Sequence, residues 1–303
     1  MIIEPNKRRR TRIFRAFAGA VVIVMVGAMV ASGLTLPAIS LAPGATPTTA
    51  PTPSPATAVA SESPGPTFVD PSPDSSPTIA PAPTADAHGC FPPPAGTVAA
   101  TVVSHGDRSK KQVALTFDDG TNPENVHRIL GILASAKVNA TFFPTGRSVQ
   151  LFPGEWKHVA DNRYPIANHT YSHQSLKGLC YQLQLAELLH DQDVLEKLNL
   201  AMLPVMRPPY EEFDDGTRFA TSAAGESHVV LWDVDTMDWT GLSVSAIASR
   251  ALAGRAGSIV LMHTSPENTA RALPTIISRY RARGFTFVTI GQMLGIPGPV
   301  PFP

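Results

Sequence analysis

The chain has 303 residues, of which 16% are charged and 30 are Pro. Globular proteins typically have about a quarter charged residues and about half this share of Pro, so the composition predicts that part of the chain does not fold. The formal net charge is zero but unevenly divided, with +5 in residues 1–15 and −5 in the remainder. A mildly acidic remainder argues against nucleic acid as a partner, because phosphate binding needs a basic surface. Two Cys exclude a disulfide-dense scaffold and a four-cysteine zinc module.

The first predicted element after the basic head, residues 1–15, is an uncharged run of 21 residues, Ala16–Leu36. A helix of this length, at about 1.5 Å per residue, is long enough to cross a bilayer. The preceding basic residues predict a cytoplasmic N-terminus and export of everything that follows. Two interpretations stay open: an uncleaved membrane anchor, or a signal segment cleaved near Val30-Ala31-Ser32. The chain is then a single-pass membrane protein with an extracellular domain, or it is secreted.

The next segment, residues 37–96, is predicted to be a disordered linker. It contains 16 of the 30 Pro and no Lys or Arg, with many Thr, Ser and Ala. Such a segment buries too little apolar surface to offset its chain entropy, and polyproline geometry would extend it by about 3 Å per residue. Cys90 lies at its end and Cys180 in the folded part, so outside the cytoplasm a disulfide between them is allowed. Two buried free thiols are the alternative.

Residues 97–303 are predicted to form a single α/β domain in which strand and helix patterns alternate. Repeated strand–helix units favour parallel strands with helices outside, and a doubly wound sheet and a barrel both fit. No glycine-rich phosphate loop follows a strand, and the polar clusters lie at strand ends, where barrels place their chemistry. In chain order the predicted elements are strand Val113–Phe117, a helix capped by Asn122, strand Ala140–Phe143, helix Leu183–Leu198, strand Val229–Val234, helix Val244–Ala253, strand Ser258–Met262, helix Glu267–Arg283 with a kink at Pro274, and strand Phe285–Ile290.

Two polar clusters have the composition of a metal site. Asp118 and Asp119 follow the first apolar strand, and because adjacent strand residues point to opposite sides, they can serve two roles. His169 and His173 are four residues apart, which would place them on one face of a helical turn. Two His and one carboxylate are typical of catalytic zinc sites. A second Asp-Asp-Gly, residues 214–216, has no strand before it and is interpreted as a turn.

Three further clusters could take part in catalysis. Residues 207–210, Arg-Pro-Pro-Tyr, place an Arg in a loop stiffened by two prolines, where it could hold a carboxylate. Residues 235–239, Asp-Thr-Met-Asp-Trp, follow a predicted strand. His263 ends another strand, and a neighbouring carboxylate would raise the pKa of this His and keep it protonated, as a general acid requires.

The ordered set of five motifs resembles the polysaccharide deacetylases of the NodB-homology type, carbohydrate esterase family 4. The resemblance covers residues 111–294, nearly all of the predicted folded part. The residues that carry it are Thr116-Phe-Asp-Asp-Gly120, Asn168-His-Thr-Tyr-Ser-His173, Arg207-Pro-Pro-Tyr210, Asp235-Thr-Met-Asp-Trp239 and Leu261-Met-His263.

The resemblance implies a distorted (β/α) barrel of about seven strands and a catalytic role for each motif. Asp119, His169 and His173 would bind a divalent metal, usually zinc. Asp118 would be the catalytic base, and Arg207 would hold it ionised and oriented.

The same resemblance implies roles for the remaining motif residues. The backbone N–H of Tyr210 would help to bind the oxyanion. Asp238 would orient and charge His263, the general acid. Trp239 and Leu261 would form the walls of the pocket for the acetyl methyl group.

Three positions depart from the family pattern. Glu211 stands where the family usually has Gly after the Tyr, and this acidic residue near the cleft could alter substrate choice. Thr264 follows the catalytic His where Asp is common, and Arg163-Tyr164 replaces a Gly-containing turn. None of the three removes an implied metal ligand, base or acid.

These motifs predict a monomeric, metal-dependent hydrolase that removes N-acetyl groups from an extracellular N-acetylglucosamine polymer. The predicted anchor and linker favour peptidoglycan as that polymer. A chitooligosaccharide or acetylxylan deacetylase remains an alternative within the same chemistry. A non-catalytic glycan-binding wall module is the alternative from another class.

Overall fold

The computed structural model of the chain describes residues 90–299. The basic head, the apolar run Ala16–Leu36 and the linker up to residue 89 lie outside these residues, so the predictions about them stay predictions. Within residues 90–299, no helix combines the length and apolar character needed to cross a bilayer.

The strands of residues 90–299 form one sheet in which every pair of strands is parallel. They are β1 (Thr101–Val103), β2 (Gln112–Asp119), β3 (Ala140–Pro144), β4 (Ile166–Asn168), β5 (Met202–Met206), β6 (His228–Val230), β7 (Val234–Asp235), β8 (Ser258–His263) and β9 (Thr286–Phe287). Their spatial order is β1-β6-β5-β4-β3-β2-β8-β7, and β9 pairs with β2. The predicted parallel α/β fold is confirmed, as an open, distorted barrel rather than a closed one. Residues 90–299 contain nine strands, several of them short, where about seven were expected.

Helices connect most of these strands, as parallel pairing requires. They are α1 (Pro123–Ala136), α2 (Gly146–Leu151), α3 (Pro153–Asp161), α4 (Tyr181–Lys197), α5 (Asp215–Ala223), α6 (Val244–Ala251), α7 (Glu267–Ala282) and α8 (Ile290–Leu294). The four predicted helices are present with ends within about two residues of the prediction, and α7 continues through Pro274. Asn122 caps α1, accepting a hydrogen bond from the backbone N–H of Asn125.

The alternation of side chains along β2 divides the core into two parts. Val113, Leu115 and Phe117 belong to the large cluster that includes the apolar faces of α1 and α7. Ala114 belongs to a second cluster with Phe143, on the barrel side of the sheet. Because side chains alternate along a strand, positions 116 and 118 also face the barrel. The sheet therefore directs Asp118 inward, at the C-terminal end of its strand.

The predicted strand Val229–Val234 is wrong as one element, because it divides into β6 and β7. The carbonyl oxygens of Val230 and Leu231 accept hydrogen bonds from the guanidinium of Arg207, at 3.1 Å and 3.4 Å. Oxygens that face this side chain do not continue the strand ladder, so the strand stops at Val230.

The predicted strand Phe285–Ile290 is also too long, because only Thr286–Phe287 is a strand. Thr289 caps α8: its hydroxyl accepts a hydrogen bond from the backbone N–H of Gln292, and the Gln292 side chain accepts one from the N–H of Thr289. This capping box starts a helix where the apolar pattern had suggested a continuing strand. Asp214, in the second Asp-Asp-Gly, likewise caps α5.

Candidate active site

Asp118 and Asp119 end β2, and their carboxylates lie 3.8 Å and 3.7 Å from Nε2 of His169, so the expectation that they point to opposite sides is wrong. Asp118 is 3% exposed and lies at the barrel side of the sheet. Asp119 has φ +79°, a left-handed backbone that turns the chain out of the strand. Gly120 continues the turn at φ +99°, and a Cβ there would lie 2.2 Å from the ring of Trp156, so this position requires glycine.

The imidazoles of His169 and His173 meet the carboxylate of Asp119. The Oδ1 atom of Asp119 lies 3.3 Å from Nε2 of His173 and 3.7 Å from Nε2 of His169. One donor atom from each of the three residues lies within 4.8 Å of the others. This is the only group of three or more such side chains in residues 90–299 that could hold a metal ion.

The expectation that the two histidines share a helical turn is wrong, because residues 169–173 form a loop after β4. Thr170 and His173 have left-handed backbones, with φ +64° and +65°. The side-chain oxygen of Asn168 accepts a hydrogen bond from the N–H of Thr170 at 2.8 Å, and Glu187 accepts one from the N–H of Ser172 at 2.8 Å. The loop thus brings together two side chains that a helix would have placed one turn apart.

The protonation of His169 and Asp119 suits a cation. The Nδ1–H of His169 donates to the carbonyl oxygen of Arg207 at 2.8 Å. The Nε2 atom of this neutral ring therefore carries no proton, and its lone pair is available on the side of Asp119. Burial lowers the pKa of His169 and keeps it neutral, against the charge of Asp118. Burial would raise the pKa of Asp119, but its hydrogen bond with His173 and its electrostatic interactions with the surrounding imidazoles lower it to about 2.

Arg207 is completely buried and holds Asp118 in place. Its Nη1 donates to Oδ1 of Asp118 at 2.7 Å and to the hydroxyl of Thr116 at 2.9 Å. The guanidinium lies 4.2 Å from the ring centre of Phe143 and 5.6 Å from that of Trp232. Burial lowers the pKa of Arg207 and Asp118 opposes the shift, so the guanidinium stays charged.

His263 and Asp238 form the second charged pair of the site. His263 ends β8 and lies in register with Asp118 on the neighbouring strand β2. Its Nδ1–H donates to Oδ1 of Asp238 at 2.7 Å, and its backbone N–H donates to Oδ2 at 2.8 Å. Burial would lower the pKa of His263, but Asp238 and the charges of Asp118 and Asp119 raise it to about 9. His263 is therefore protonated near neutral pH, with the Nε2–H free to donate.

Asp118, Asp119, the two metal-site histidines and His263 line one cavity of about 510 Å³, which Arg207 and Asp238 support from behind its lining. Tyr210 and Trp239 are 65% and 60% exposed and lie at its mouth, whereas Leu261 is buried in its wall. Sequence reasoning did not assign Trp232, which lies in the predicted strand Val229–Val234, three residues before the motif that begins at Asp235. The lining residues are Asp118, Asp119, His169, His173, Pro208, Tyr210, Glu211, Trp232, Asp235, Trp239, Leu261 and His263.

Cys90 and Cys180 are joined by a disulfide, with their Cα atoms 5.2 Å apart. The bond fastens the segment before β1 to the N-terminus of α4, where the side chain of Gln182 donates to the carbonyl oxygen of Phe91 at 3.0 Å. Neither Cys lines the cavity, so the pair belongs to the framework of the domain.

A parallel α/β barrel that presents carboxylates and histidines at its strand ends is suited to hydrolytic chemistry, and comparison with known proteins identifies the family. The polysaccharide deacetylase family model matches residues 105–229. A peptidoglycan-N-acetylglucosamine deacetylase of Bacillus cereus is 34% identical over 194 residues, which cover 62% of this chain and 70% of that protein. The peptidoglycan-N-acetylmuramic acid deacetylase PdaC of Bacillus subtilis is 33% identical over 189 residues, 62% of this chain and 39% of that one.

A solved structure shows the same fold. It is the wild-type protein BA3943 of Bacillus anthracis, a pseudoenzyme of carbohydrate esterase family 4, with a TM-score of 0.62 and 28% identity over 66% of this chain and 70% of that one. The present chain belongs to the polysaccharide deacetylase family and is a hydrolase of the deacetylase class. That family is in general metal-dependent, in agreement with the Asp119, His169 and His173 group.

Proposed function

We propose that this chain hydrolyses N-acetyl groups of an extracellular polysaccharide that contains N-acetylglucosamine, with peptidoglycan as the polymer. The observation that carries the proposal is the convergence, on one cavity, of a buried carboxylate, a group able to hold a cation, and a protonated histidine. The similarity to two peptidoglycan deacetylases supports the choice of polymer. The predicted anchor and linker support a location in the cell wall.

The donor set fits a divalent ion, and we propose Zn²⁺. Two imidazole nitrogens and one carboxylate oxygen are the set that catalytic zinc sites use. Asp119, His169 and His173 would hold the ion. When bound, it would polarise the acetamido carbonyl and make a water molecule more acidic.

Asp118 is proposed as the general base. Its Oδ1 is engaged by Arg207 at 2.7 Å, so its other oxygen, Oδ2, is the one placed to accept a proton. That oxygen lies 3.8 Å from Nε2 of His169, beside the proposed ion. Asp118 would therefore take the proton of the attacking water next to the reacting carbon. Arg207, which does not line the cavity, acts by positioning this carboxylate.

His263 is proposed as the general acid. Amide hydrolysis must expel a poor leaving group, the sugar nitrogen, and protonation of that nitrogen lets the C–N bond break. Because Asp238 holds Nδ1–H, the proton to be transferred is the one on Nε2. The products are acetate and a sugar with a free amine. The backbone N–H of Tyr210 would help to stabilise the oxyanion, and Trp239 and Leu261 would enclose the acetyl methyl group.

The test is acetate release by the full-length, metal-loaded chain, with and without a chelator, from peptidoglycan, chitooligosaccharides and acetylxylan. We expect release from peptidoglycan that stops when the metal is removed and returns when Zn²⁺ is restored. Release from acetylxylan alone would reassign the substrate class. No release from any of the three would favour a non-catalytic glycan-binding module.

A further inference from the structure

Glu211 is an exposed acid in the wall of the proposed active site. It ends the short 3₁₀ turn Pro209–Glu211 and lines the same cavity as Asp118 and His263. It takes no part in the chemistry proposed above. Its position at the mouth of the cavity suits a contact with a substrate group other than the one being hydrolysed.

The backbone holds Glu211 firmly in this position. Tyr210 and Glu211 both have φ +61°, a conformation uncommon for side chains of their size. The N–H of Glu212 closes the turn on the carbonyl oxygen of Pro209 at 3.0 Å. The hydroxyl of Tyr210 lies 3.1 Å from Nδ1 of His173, and the two rings pack edge to face. The turn that carries Glu211 is thus held against the loop of residues 169–173, which carries the two metal-site histidines.

The charge of Glu211 is not compensated within residues 90–299. Four carboxylates line the cavity without any Lys or Arg, and the protonated His263 in the same lining is paired with Asp238. Asp118 is paired with Arg207, Asp119 faces the two histidines, and Asp235 accepts a hydrogen bond from the N–H of Met237. The side chain of Glu211 has neither a hydrogen bond nor an ion pair in this part of the chain. A carboxylate kept without a partner at the mouth of a binding cavity is complementary to a cation on the substrate.

We propose that Glu211 selects glycans that carry a primary ammonium on a sugar neighbouring the one being deacetylated. The inference rests on the proposed function and names its preferred substrate. Hydrolysis adds water across the amide, releases acetate and leaves a sugar amine that takes up a proton. Each turnover therefore creates the group that Glu211 would bind at the next site, and the enzyme would favour chains already partly deacetylated.

The experiment compares kcat/KM of the full-length, metal-loaded chain on fully acetylated chitotetraose and on tetramers with one glucosamine at a defined position. We expect the best glucosamine-containing tetramer to be preferred by about two- to fivefold, the scale of an exposed ion pair, with the preference falling as salt increases. Glu211→Gln should abolish the preference, and Glu211→Lys should reverse it. Glu212→Gln is the matched control, because Glu212 is exposed beside Glu211 but does not line the cavity.

The outcomes separate this inference from the proposed function. The inference is overturned if the wild type and Glu211→Gln prefer the glucosamine-containing tetramer equally, or if the wild type shows no preference between the tetramers. Acetate release in either case would still uphold the proposed function. No release from any oligosaccharide or from peptidoglycan overturns both. A second arm uses muropeptides with free or N-acetylated stem-peptide amines. A preference confined to the free peptide amines would overturn the assignment to a sugar ammonium.

Discussion

Glu226 is a buried acid whose ionisation should limit the stability of the domain as pH rises. It is 2% exposed, and its Oε1 accepts hydrogen bonds from the side chains of Asn168 at 2.8 Å and Gln192 at 2.7 Å. Its Oε2 is buried without a partner in the described residues. Burial outweighs the two hydrogen bonds and raises the pKa of Glu226 from 4.5 to about 8.

The sign and size of the effect follow from this shift. Below the pKa that Glu226 has in the unfolded chain, this side chain is protonated in both the folded and the unfolded state, and the free energy of unfolding is at its full value. Between the two values the folded state keeps a proton that the unfolded state has lost, so the free energy of unfolding falls by ~1.4 kcal/mol per pH unit. Across the whole interval the loss is on the order of 5 kcal/mol, and it ends once the pH passes the folded pKa. Asp191 also makes the free energy of unfolding fall as pH rises, because burial and the charges of Glu226 and Glu187 raise its pKa.

Glu226→Gln removes this ionisation while keeping an oxygen for the two donors. We expect the variant to match the wild type within about 1 kcal/mol at pH 5 and to exceed it by several kcal/mol at pH 8. Urea unfolding of the full-length chain, followed by circular dichroism from pH 5 to 8.5, measures this difference. Glu212→Gln, which neutralises an exposed acid, controls for net charge. Parallel pH profiles for Glu226→Gln and the wild type would refute the reasoning.

Three active-site substitutions have distinct expected results. Asp118→Asn should abolish acetate release and leave zinc content unchanged, and loss of zinc would show that the roles of the two neighbouring acids are exchanged. His263→Ala should slow turnover by about 10²–10⁴-fold with metal retained, and an unchanged rate would remove its role as acid. Arg207→Met should lower the free energy of unfolding by about 3–5 kcal/mol in a denaturant titration, because it leaves the buried Asp118 without its cation; a loss below about 1 kcal/mol would contradict that pairing.

The parts of this fold that sequence predicted well are those fixed by local pattern. The apolar runs that became β2 and β8 are strands, and Asn122 caps α1 as its position indicates. That these two strands are neighbours, with Asp118 opposite His263, is a matter of tertiary pairing that no local pattern contains. The motif order supplied it only through resemblance to a family.

The parts that sequence could not predict depend on unusual backbone conformations. The spacing of His169 and His173 suggests a helical pair. Thr170 and His173 have left-handed backbones, which the identity of these residues does not predict. The same holds for Tyr210 and Glu211, where a reader would expect glycine at positive φ. At such positions tertiary contacts, here from Asn168 and from the ring of His173, outweigh local preference.

The hydrogen bonds of Arg207 explain both the wrongly predicted strand Val229–Val234 and the correctly predicted position of Asp118. Its guanidinium needs acceptors on several sides to remain charged while completely buried. Asp118 supplies one, and the carbonyl oxygens of Val230 and Leu231 supply others, which is why the predicted strand through these residues is broken. The apolar sequence of this strand does not predict the break, because the hydrogen bonds that cause it come from a residue more than 20 positions away in sequence. The strand that the apolar pattern extends too far is therefore interrupted by the same interaction that positions the proposed base.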